Sequence, residues 1–250
     1  MGPRVDNTIA VIPSYNEARN IGRVVRTISD MGMTVLVIDD GSVDSTERIA
    51  LDNGAIVIRH KKNRGKGYSV REGMCHVVHK TKFEWMIMMD GDGQHHPEDI
   101  PSLMDAAADD AADMVIGNRM LDVKTMPPVR FWTNKFTSWV VSGICRQYVP
   151  DSQCGYRLLR VEGLKKLTLL SDKYDIESEM LIQAARRGLK IRSARIQTIY
   201  GDEVSKIHPL KDTIRFFRLI IKHHLESDDP GTEKRKDGVC PSDLPGGDRS

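Results

Sequence analysis

Apolar runs of strand length alternate with segments of helical periodicity along the first half of the chain. Strands are predicted at 8–12, 34–39, 55–59, 84–90 and 112–117, and helices at 17–29, 44–53, 67–80 and from Pro97. These strands are apolar at nearly every position, which is typical of a parallel sheet covered by helices on both faces. The pattern therefore predicts an α/β fold with a doubly wound, mostly parallel sheet.

The second half of the chain has a looser pattern. It predicts a helix at 130–145, a loop, helices near Val161 and Glu177, a strand at 190–200 and a last helix from Pro209. Residues 226–250 contain almost no large apolar residue and are predicted to be a disordered polar tail. We therefore expect one domain over residues 1–225, and we find no internal repeat.

Composition excludes several classes of protein. The 250 residues include 37 Lys and Arg against 35 Asp and Glu, a net charge of +2, which gives no reason to expect nucleic-acid binding. The four cysteines form no Cys-x-x-Cys pair, which argues against a zinc site and a disulfide framework and fits a reducing cytoplasm. The sequence also contains no secretory leader pattern and no run near the ~18 apolar residues of a spanning helix. A cytoplasmic protein is expected.

Polar clusters follow the predicted strands one after another. The strand ends carry the sequences "PSYNE", "DDGS", "RHKKNRGKG", "DGDGQ" and "GNR". In open α/β sheets, ligands bind beyond the carboxyl ends of the strands, where the strand order reverses. Packing alone does not explain five polar strand ends, so a ligand site is predicted there.

The sequence "MMDGDGQHHPED" is the best candidate for a metal site. If the chain is extended, Asp90 and Asp92 point the same way, and two like charges at one place need a cation. Hard oxygen ligands suit Mg²⁺ or Mn²⁺, and Gln94 offers a neutral third ligand. A simple tight turn is the alternative. His95 and His96 could contact the ion or a phosphate, or could cap the next helix or face solvent.

A second carboxylate pair lies in "VIDDGSVDST". Ser42 or Asp44 could cap the following helix, and we assign Asp40 rather than Asp39 to hydrogen-bond donors of a ligand. "NRGKG" looks like a shortened phosphate loop but lacks the Walker spacing, so it is weak evidence alone.

In "PSYNE", the Pro13 ring is expected to end the first strand and to expose the three residues that follow. Asn16 could cap the next helix, and Glu17 could either cap it or contact a base.

These motifs together resemble family 2 glycosyltransferases with the GT-A fold. The sequences "VIPSYNEARNI", "VIDDGSVDST", "NRGKGYSVREG", "MMDGDGQHHPEDI", "GNR" and "DSQCGYRLLR" follow in the family's order, and the resemblance covers about residues 8–225. The chain is most similar to dolichyl-phosphate and polyprenyl-phosphate mannose or glucose synthases. The resemblance implies a nucleotide-binding N-terminal half, an acceptor-binding C-terminal half, and inverting transfer of a sugar from a nucleotide diphosphate sugar to a polyprenyl phosphate. The sequence "VSKIHPLKD" favours UDP-glucose or UDP-N-acetylglucosamine over GDP-mannose.

The resemblance also implies roles for individual residues. The nucleobase and ribose would be held by Pro13, Tyr15, Glu17 and Asp40. The divalent ion, Mg²⁺ or Mn²⁺, would be bound on the diphosphate by Asp90, Asp92 and Gln94. Acceptor or donor phosphates would be met by Arg119 and Arg130. Lys206, on a closing loop, would neutralise the leaving diphosphate. Asp92, Arg119 and Lys206 are thus the expected catalytic residues.

Several alternatives stay open. A phosphate acceptor needs no catalytic base, although Asp151, Asp175 or Glu177 could serve a hydroxyl acceptor. Asp175 and Glu177 are expected instead to position the acceptor or a basic partner. A haloacid-dehalogenase-type phosphohydrolase also has Asp-x-Asp after a strand, and a noncatalytic nucleotide-sugar binding module is a third reading. A basic amphipathic helix at 208–225 predicts peripheral membrane contact, with packing on its own core as the alternative.

Overall fold

The computed structural model describes residues 2–109, 111–121, 126–171, 173, 175–197 and 240. Lys206, the helix predicted from Pro209 and all of the predicted tail except Cys240 lie outside the described residues. The domain boundary at residue 225 therefore stays a prediction.

Within the described residues, seven strands form one sheet. They are β1 (Thr8–Ser14), β2 (Thr34–Asp39), β3 (Ile56–Arg59), β4 (Trp85–Met88), β5 (Met114–Asn118), β6 (Arg157–Arg160) and β7 (Ile191–Arg195). Their order across the sheet is β3-β2-β1-β4-β6-β5-β7, and β6 runs antiparallel to both of its neighbours while the other pairs are parallel. The predicted α/β fold with a mostly parallel sheet is confirmed.

Helices cover both faces of the sheet. They are α1 (Ile21–Asp30), α2 (Thr46–Asp52), α3 (Lys66–Lys80), α4 (Ile100–Asp109), α5 (Pro128–Cys145), α6 (Val161–Leu164) and α7 (Ile176–Arg186), with short 3₁₀ turns at Val5–Asn7 and Pro97–Asp99. No helix in the described ranges is both long and apolar enough to cross a membrane.

Successive residues of β1 point to opposite faces of the sheet, which divides the core in two. Ile9 and Val11 pack in one cluster with residues of α3, α5 and α7, whereas Ala10 and Ile12 pack in the other with residues of α1, α2 and α4. Both faces of β1 are therefore buried, which is why its sequence is apolar without alternation.

Strand β6 lies where the sequence predicts a loop. Its four residues, Arg-Leu-Leu-Arg, are too short and too charged to resemble the other strands, yet Arg157 is fully buried. The guanidinium of Arg157 donates to the backbone carbonyls of Ser152, Cys154 and Glu177, so its hydrogen bonds are satisfied inside the protein. The strand is placed by its pairing with β4 and β5, which are distant in sequence, so it is not recognisable from the local apolar pattern.

Pro13 does not end β1, in contrast to the sequence prediction. The strand continues to Ser14, whose carbonyl accepts the N–H of Asp40 on the β2 side. The carbonyl of Val11 faces β4 and accepts the N–H of Met89, so by alternation the backbone of Pro13 also faces β4, beyond the last paired residue of that strand. Because proline has no backbone N–H, Pro13 cannot donate to β4, so the pairing of β1 with β4 ends there. The strand itself continues, through its pairing with β2.

A disulfide joins Cys75 on α3 to Cys240, which is 165 residues away in sequence. The expectation that no cysteines are paired was wrong for these two, because sequence spacing does not report a contact over such a separation. Cys145 and Cys154 are buried free thiols. The cysteines consequently give no support for a reducing compartment.

We predict opposite effects for two Gly→Ala changes in helices. A Cβ on Gly73 of α3 would lie 2.5 Å from the Cγ1 of Val11, whereas a Cβ on Gly143 of α5 would meet nothing within 4 Å. Gly143→Ala should raise the free energy of unfolding by up to ~1 kcal/mol through helix propensity. Gly73→Ala should lower it by about 1–3 kcal/mol through overpacking. Urea unfolding followed by circular dichroism measures both; equal stabilisation by the two changes would contradict the close packing of α3 on the sheet.

Candidate active site at the carboxyl ends of the strands

The strand order reverses at β1, which lies between β2 and β4. The chain builds outward from β1 to β2 and β3, and then crosses back to place β4 on the other side of β1. Because these strands are parallel, their carboxyl ends share one edge of the sheet. This edge is where an α/β sheet opens a crevice for a ligand, and it carries the polar sequences identified above.

The loops after β1 and β2 are bonded to each other. The N–H of Asn16 donates to Oγ of Ser42 at 2.9 Å, and the N–H of Val43 donates to Oδ1 of Asn16 at 2.9 Å. The N–H of Glu17 donates to Oγ1 of Thr46 at 2.8 Å. Asn16, which has a φ of 57°, joins the two loops through its hydrogen bonds with Ser42 and Val43. It is not the N-cap of α1, which is Asn20.

Asp40 fastens the loop that precedes α3. Its carboxylate accepts the N–H groups of Arg64 and Gly65, both at 2.8 Å, and lies 2.7 Å from Nδ1 of His60. His60 also bonds Glu72 through its other ring nitrogen. The nearly complete burial of Asp40 and these three bonds give it a structural role, and its contact with a nucleotide stays a prediction.

Asp39, the first of the two adjacent carboxylates, is held by Ser42 and Arg59. It is fully buried, and its Oδ1 accepts from the N–H and the hydroxyl of Ser42. Its Oδ2 makes no hydrogen bond within the described part of the chain, and Nε of Arg59 lies 3.5 Å from it. A buried carboxylate oxygen without a hydrogen bond is costly unless a ligand donates to it. Asp39 Oδ2 can therefore accept a further hydrogen bond from a ligand, and the assignment of Asp40 to ligand donors stays a prediction.

Asp90 and Asp92 lie in a turn, not on an extended strand. Strand β4 ends at Met88, and the chain turns through Gly91 and Gly93, the latter with a φ of 75°. Oδ1 of Asp92 accepts the N–H of Gln94 at 2.9 Å. The two carboxylates are therefore not aligned along an extended strand, in contrast to the sequence prediction, although both follow β4 at the sheet edge.

Lys66 bridges two acidic side chains. Its Nζ lies 2.7 Å from Oδ1 of Asp90 and 2.7 Å from Oε1 of Glu177. Burial opposes ionisation of Asp90, but the charge and hydrogen bond of Lys66 together with the other neighbouring charges outweigh it and lower the pKa of that carboxyl below its ordinary value. Gly155 closes the site, since a Cβ there would lie 2.8 Å from Oδ2 of Asp90. The donor set suits a divalent ion, because a buried aspartate here already attracts a cation.

Arg119, directly after β5, is fixed by Asp151. Nε and one terminal nitrogen of the guanidinium donate to the two oxygens of that carboxylate at 2.7 and 2.9 Å, and both residues are buried. Asn134 of α5 donates to the same carboxylate at 2.8 Å. Burial opposes ionisation of Asp151, but Arg119 outweighs it and lowers the pKa of the carboxyl. Asp151 is thus committed to positioning Arg119.

These charged groups form one cluster. Arg119 is close enough to contribute to the lowered pKa of Asp90, after the larger effects of burial, Lys66 and His95. His95 is itself buried, and burial together with the neighbouring cations lowers the pKa of its imidazole to about 4. Its ring packs 5.2 Å from that of Tyr156. His95 is therefore uncharged at neutral pH and packs beside the charged cluster.

The other residues singled out in the sequence lie around this edge or outside the described residues. Pro13 is buried in β1, Tyr15 is exposed, and Glu17 is partly exposed in the loop that follows. Arg130 is partly exposed on α5, four residues and hence one helical turn before Asn134. Lys206 lies outside the described residues.

Sequence reasoning did not assign three groups of this site. Lys66 and Gly155 were included only within quoted family motifs, without a role, and Asp151 was named only as a possible base. The signal available for Lys66 was its position at the start of a helix that follows a strand-end loop. The motif "DSQCGYRLLR" contains Asp151 and Gly155, but it does not show that Asp151 pairs with Arg119 or that Gly155 packs against Asp90.

Comparison with known proteins agrees with this geometry. The model for the family described as Glycosyl transferase family 2 matches residues 9–167. An uncharacterized protein of Methanocaldococcus jannaschii is 38% identical over 207 residues, which are 79% of this chain and 83% of that protein. The UDP-N-acetylglucosamine–dolichyl-phosphate N-acetylglucosaminyltransferase of Methanococcus voltae is 30% identical over 215 residues, which are 77% of this chain and 85% of that enzyme.

A solved structure shares the fold. Glucosyl-3-phosphoglycerate synthase from Mycobacterium tuberculosis, in complex with Mn²⁺, uridine diphosphate and glucosyl-3-phosphoglycerate, superposes with a TM-score of 0.65. The match covers 88% of this chain and 79% of that one at 20% sequence identity. At this identity the likeness establishes the architecture alone.

We predict a pH-dependent contribution of His60 to stability. Burial would lower the pKa of this imidazole, but the hydrogen bonds and charges of Asp40 and Glu72 outweigh it and raise the pKa to about 9 from 6.5. The stabilisation is therefore fully present below pH 6.5 and is lost as the pH rises through about 9. We expect the free energy of unfolding to fall between pH 7 and pH 10 by on the order of 2 kcal/mol more in the wild type than in His60→Asn.

Urea unfolding at several pH values measures this difference. His79→Asn, which changes an exposed histidine of α3, is the control and should keep the pH dependence of the wild type. If the free energy of unfolding depends on pH in the same way in His60→Asn as in the wild type, the imidazole of His60 does not hold an extra proton between Asp40 and Glu72 in the folded state.

Proposed function

Because the chain belongs to glycosyl transferase family 2, we propose that it transfers a hexose, with inversion, from a nucleotide diphosphate sugar to a polyprenyl or dolichyl phosphate. Family membership makes the chain a glycosyltransferase and removes the phosphohydrolase and the noncatalytic binding module as readings of the Asp-x-Asp sequence. The reacting groups would meet at the carboxyl ends of β1, β4 and β5.

One observation carries the proposal: a buried cluster at this edge combines acidic and basic side chains that suit phosphates and a cation. Asp90, Lys66 and Glu177 form one half, and Arg119 with Asp151 forms the other. The two halves interact electrostatically, since Arg119 contributes to the pKa of Asp90. Such a cluster can bind an anionic donor on one side and an anionic acceptor on the other.

The donor would bind across β1, β2 and β4. Tyr15 and Glu17 follow β1, and the unsatisfied oxygen of Asp39 can accept a hydrogen bond from the nucleoside. Asp90, Asp92 and Gln94 would hold Mg²⁺ or Mn²⁺. When bound, such an ion neutralises charge on the diphosphate leaving group. Lys206 is proposed to add a second positive charge to the same group.

The acceptor phosphate would meet Arg119, with Arg130 one turn further out on α5. Asp151 and Asn134 hold the Arg119 guanidinium in place, so its orientation is set before the phosphate arrives. A phosphate monoester has a second pKa near ~6 and is already an oxyanion at neutral pH. No base is then required, and both candidates with described contacts, Asp151 and Glu177, are ion-paired in this structure.

Among donors we favour UDP-glucose or UDP-N-acetylglucosamine. The Methanococcus voltae relative, named for UDP-N-acetylglucosamine and dolichyl phosphate, supports this choice. GDP-mannose is the alternative donor, and a soluble acceptor is the less favoured alternative to the lipid. Incubation with radiolabelled UDP-sugars and GDP-mannose, followed by counting of the organic phase, distinguishes these possibilities.

We predict that transfer requires the divalent ion and Asp92. In excess EDTA, and in Asp92→Asn, label in the organic phase should fall by at least about a hundredfold, because the charge of the leaving diphosphate is then not neutralised. Asp105→Asn, which changes an exposed aspartate of α4, should transfer as the wild type does. Full activity in EDTA with an intact fold would refute the assignment of Asp90, Asp92 and Gln94 to a metal.

The outer face of α5 supports a membrane-bound acceptor. Val129, Trp132, Phe136 and Trp139 recur at helical spacing on it, and Trp132 and Trp139 are 64% and 73% exposed. Residues 126–150 contain three basic side chains and no acidic one. Aromatic and basic side chains on one helical face are typical of helices that lie in the interface of an anionic bilayer.

The inner face of the same helix reaches the acceptor site. Asn134 donates to Asp151, and the hydroxyl of Ser138 accepts the N–H of Ser152. One side of α5 therefore contacts the Arg119–Asp151 pair, and the opposite side carries the exposed aromatic residues. A bilayer against this face would bring lipid phosphates near Arg130. We therefore place the peripheral membrane contact on α5; the helix at 208–225, to which the sequence analysis assigned this contact, lies outside the described residues.

We predict that the triple variant Trp132→Ser, Phe136→Ser, Trp139→Ser loses binding to phosphatidylglycerol vesicles. The wild type should co-sediment with the vesicles at low salt and less at high salt, because each basic residue contributes only ~1 kcal/mol. A matched variant with Val43, Leu51 and Ile56 changed to serine, which are exposed elsewhere, should sediment as the wild type.

Transfer activity on two different acceptors distinguishes a role in membrane contact from a role in the transfer reaction itself. The α5 variant should lose far more activity on a long-chain polyprenyl phosphate in vesicles than on a short-chain, water-soluble one. Equal sedimentation of the α5 variant and the wild type would refute the membrane role of this face.

A further inference from the structure

Lys66 already fills the place of a cation beside Asp90. Its ammonium nitrogen is 2.7 Å from an oxygen of Asp90 and 2.7 Å from an oxygen of Glu177, and the three side chains are largely buried. The second oxygen of Glu177 makes no hydrogen bond within the described residues. The carboxylates of Glu177, which is buried, and Asp90, which is partly buried, therefore share the Lys66 ammonium.

The surroundings hold this bridge together. Lys66 is the first residue of α3, and the loop before it is fixed by the two N–H bonds to Asp40. On the other side, a Cβ on Gly155 would lie 2.8 Å from Oδ2 of Asp90 and 3.3 Å from Nζ of Lys66, so the backbone there packs directly against the ion pair. Small side-chain motions of Lys66 are possible because its ammonium is carried on four methylenes.

A divalent ion and the Lys66 ammonium cannot share Asp90 without cost. An ion bound to Asp90 would lie within a few ångströms of a like charge in a partly buried site, where repulsion is poorly screened. Glu177 offers the ammonium a second carboxylate, so the lysine can release Asp90 and keep an ionic partner. The anionic diphosphate of a donor would compensate the extra positive charge.

We propose that Lys66 is a positioning residue that competes with the divalent ion for Asp90, so that the ion binds tightly only together with a nucleotide diphosphate. The inference rests on the proposed function, because it takes Asp90 as a metal ligand. Its consequence is a thermodynamic coupling: the nucleotide strengthens metal binding, and the metal strengthens nucleotide binding by the same factor. Because Lys66 remains paired with Glu177 when the ion binds Asp90, the ammonium also neutralises the Glu177 carboxylate during transfer.

The test measures Mn²⁺ binding directly, by the electron paramagnetic resonance signal of free Mn²⁺, with and without UDP. Lys66→Met should bind Mn²⁺ alone at least about tenfold more tightly than the wild type, because the competing charge is gone. The strengthening of Mn²⁺ binding by UDP should shrink by a similar factor. Lys66→Arg, which keeps the charge, should resemble the wild type.

Two further variants make the test decisive. Lys66→Met leaves Asp90 and Glu177 without their shared cation and could unfold the site; the double variant Lys66→Met, Glu177→Gln removes that excess negative charge and should still bind bare Mn²⁺ more tightly than the wild type. Lys62→Met, an exposed lysine of the same loop, controls for net charge and should leave binding unchanged.

The outcomes distinguish the inference from the function on which it rests. If Asp90→Asn abolishes Mn²⁺ binding but both variants lacking Lys66 bind bare Mn²⁺ no more tightly than the wild type, the competition is overturned and the metal site stands. If Asp90→Asn binds Mn²⁺ and UDP as the wild type does, the metal assignment itself fails. Tighter binding of bare Mn²⁺ with a reduced effect of UDP supports the proposal.

Discussion

Buried negative charge at the carboxyl edge of the sheet is the constraint on which this structure depends. Asp40, Asp90 and Asp151 all lie at this edge with little or partial access to solvent, and an unpaired buried carboxylate is costly. Each is matched by a cationic or donating partner: His60 and backbone N–H groups for Asp40, Lys66 for Asp90, and Arg119 for Asp151. The polar strand ends therefore form a network of pairs, not a row of independent charges.

The same pairs bring distant parts of the chain together. Lys66 joins α3 to the turn after β4 and to α7 through Glu177, and Asp151 joins the end of β5 to α5 through Asn134. The residues proposed to position phosphates are thus also contacts that join distant parts of the fold at one crevice. In the proposed function, the donor lies on β1, β2 and β4, and the acceptor lies beside α5, whose aromatic face is exposed.

Much of the architecture was predictable, and the exceptions have physical causes. The strands β1 to β5 and most helix positions follow from apolar runs and periodicity, because both faces of the sheet are buried. Strand β6 was missed because it buries the charged Arg157 and pairs with β4 and β5, which are distant in sequence. The Cys75–Cys240 bond was missed because it spans 165 residues. The end of β4 was misplaced because Gly91 and Gly93 turn the chain earlier than its apolar pattern indicates.

The sequence by itself determined the fold class, the strand ends that carry polar groups, the family resemblance and the candidates Asp90, Asp92 and Arg119, because these depend on local composition and order. Only the tertiary structure decided how the charges are partnered: Asp40 to the loop before α3, Asp39 with an oxygen left unsatisfied, and Lys66 between Asp90 and Glu177. Arg119 and Asp151 are 32 residues apart in sequence yet share two hydrogen bonds between their side chains. An ion pair depends on distance and burial, and neither is encoded by neighbouring residues.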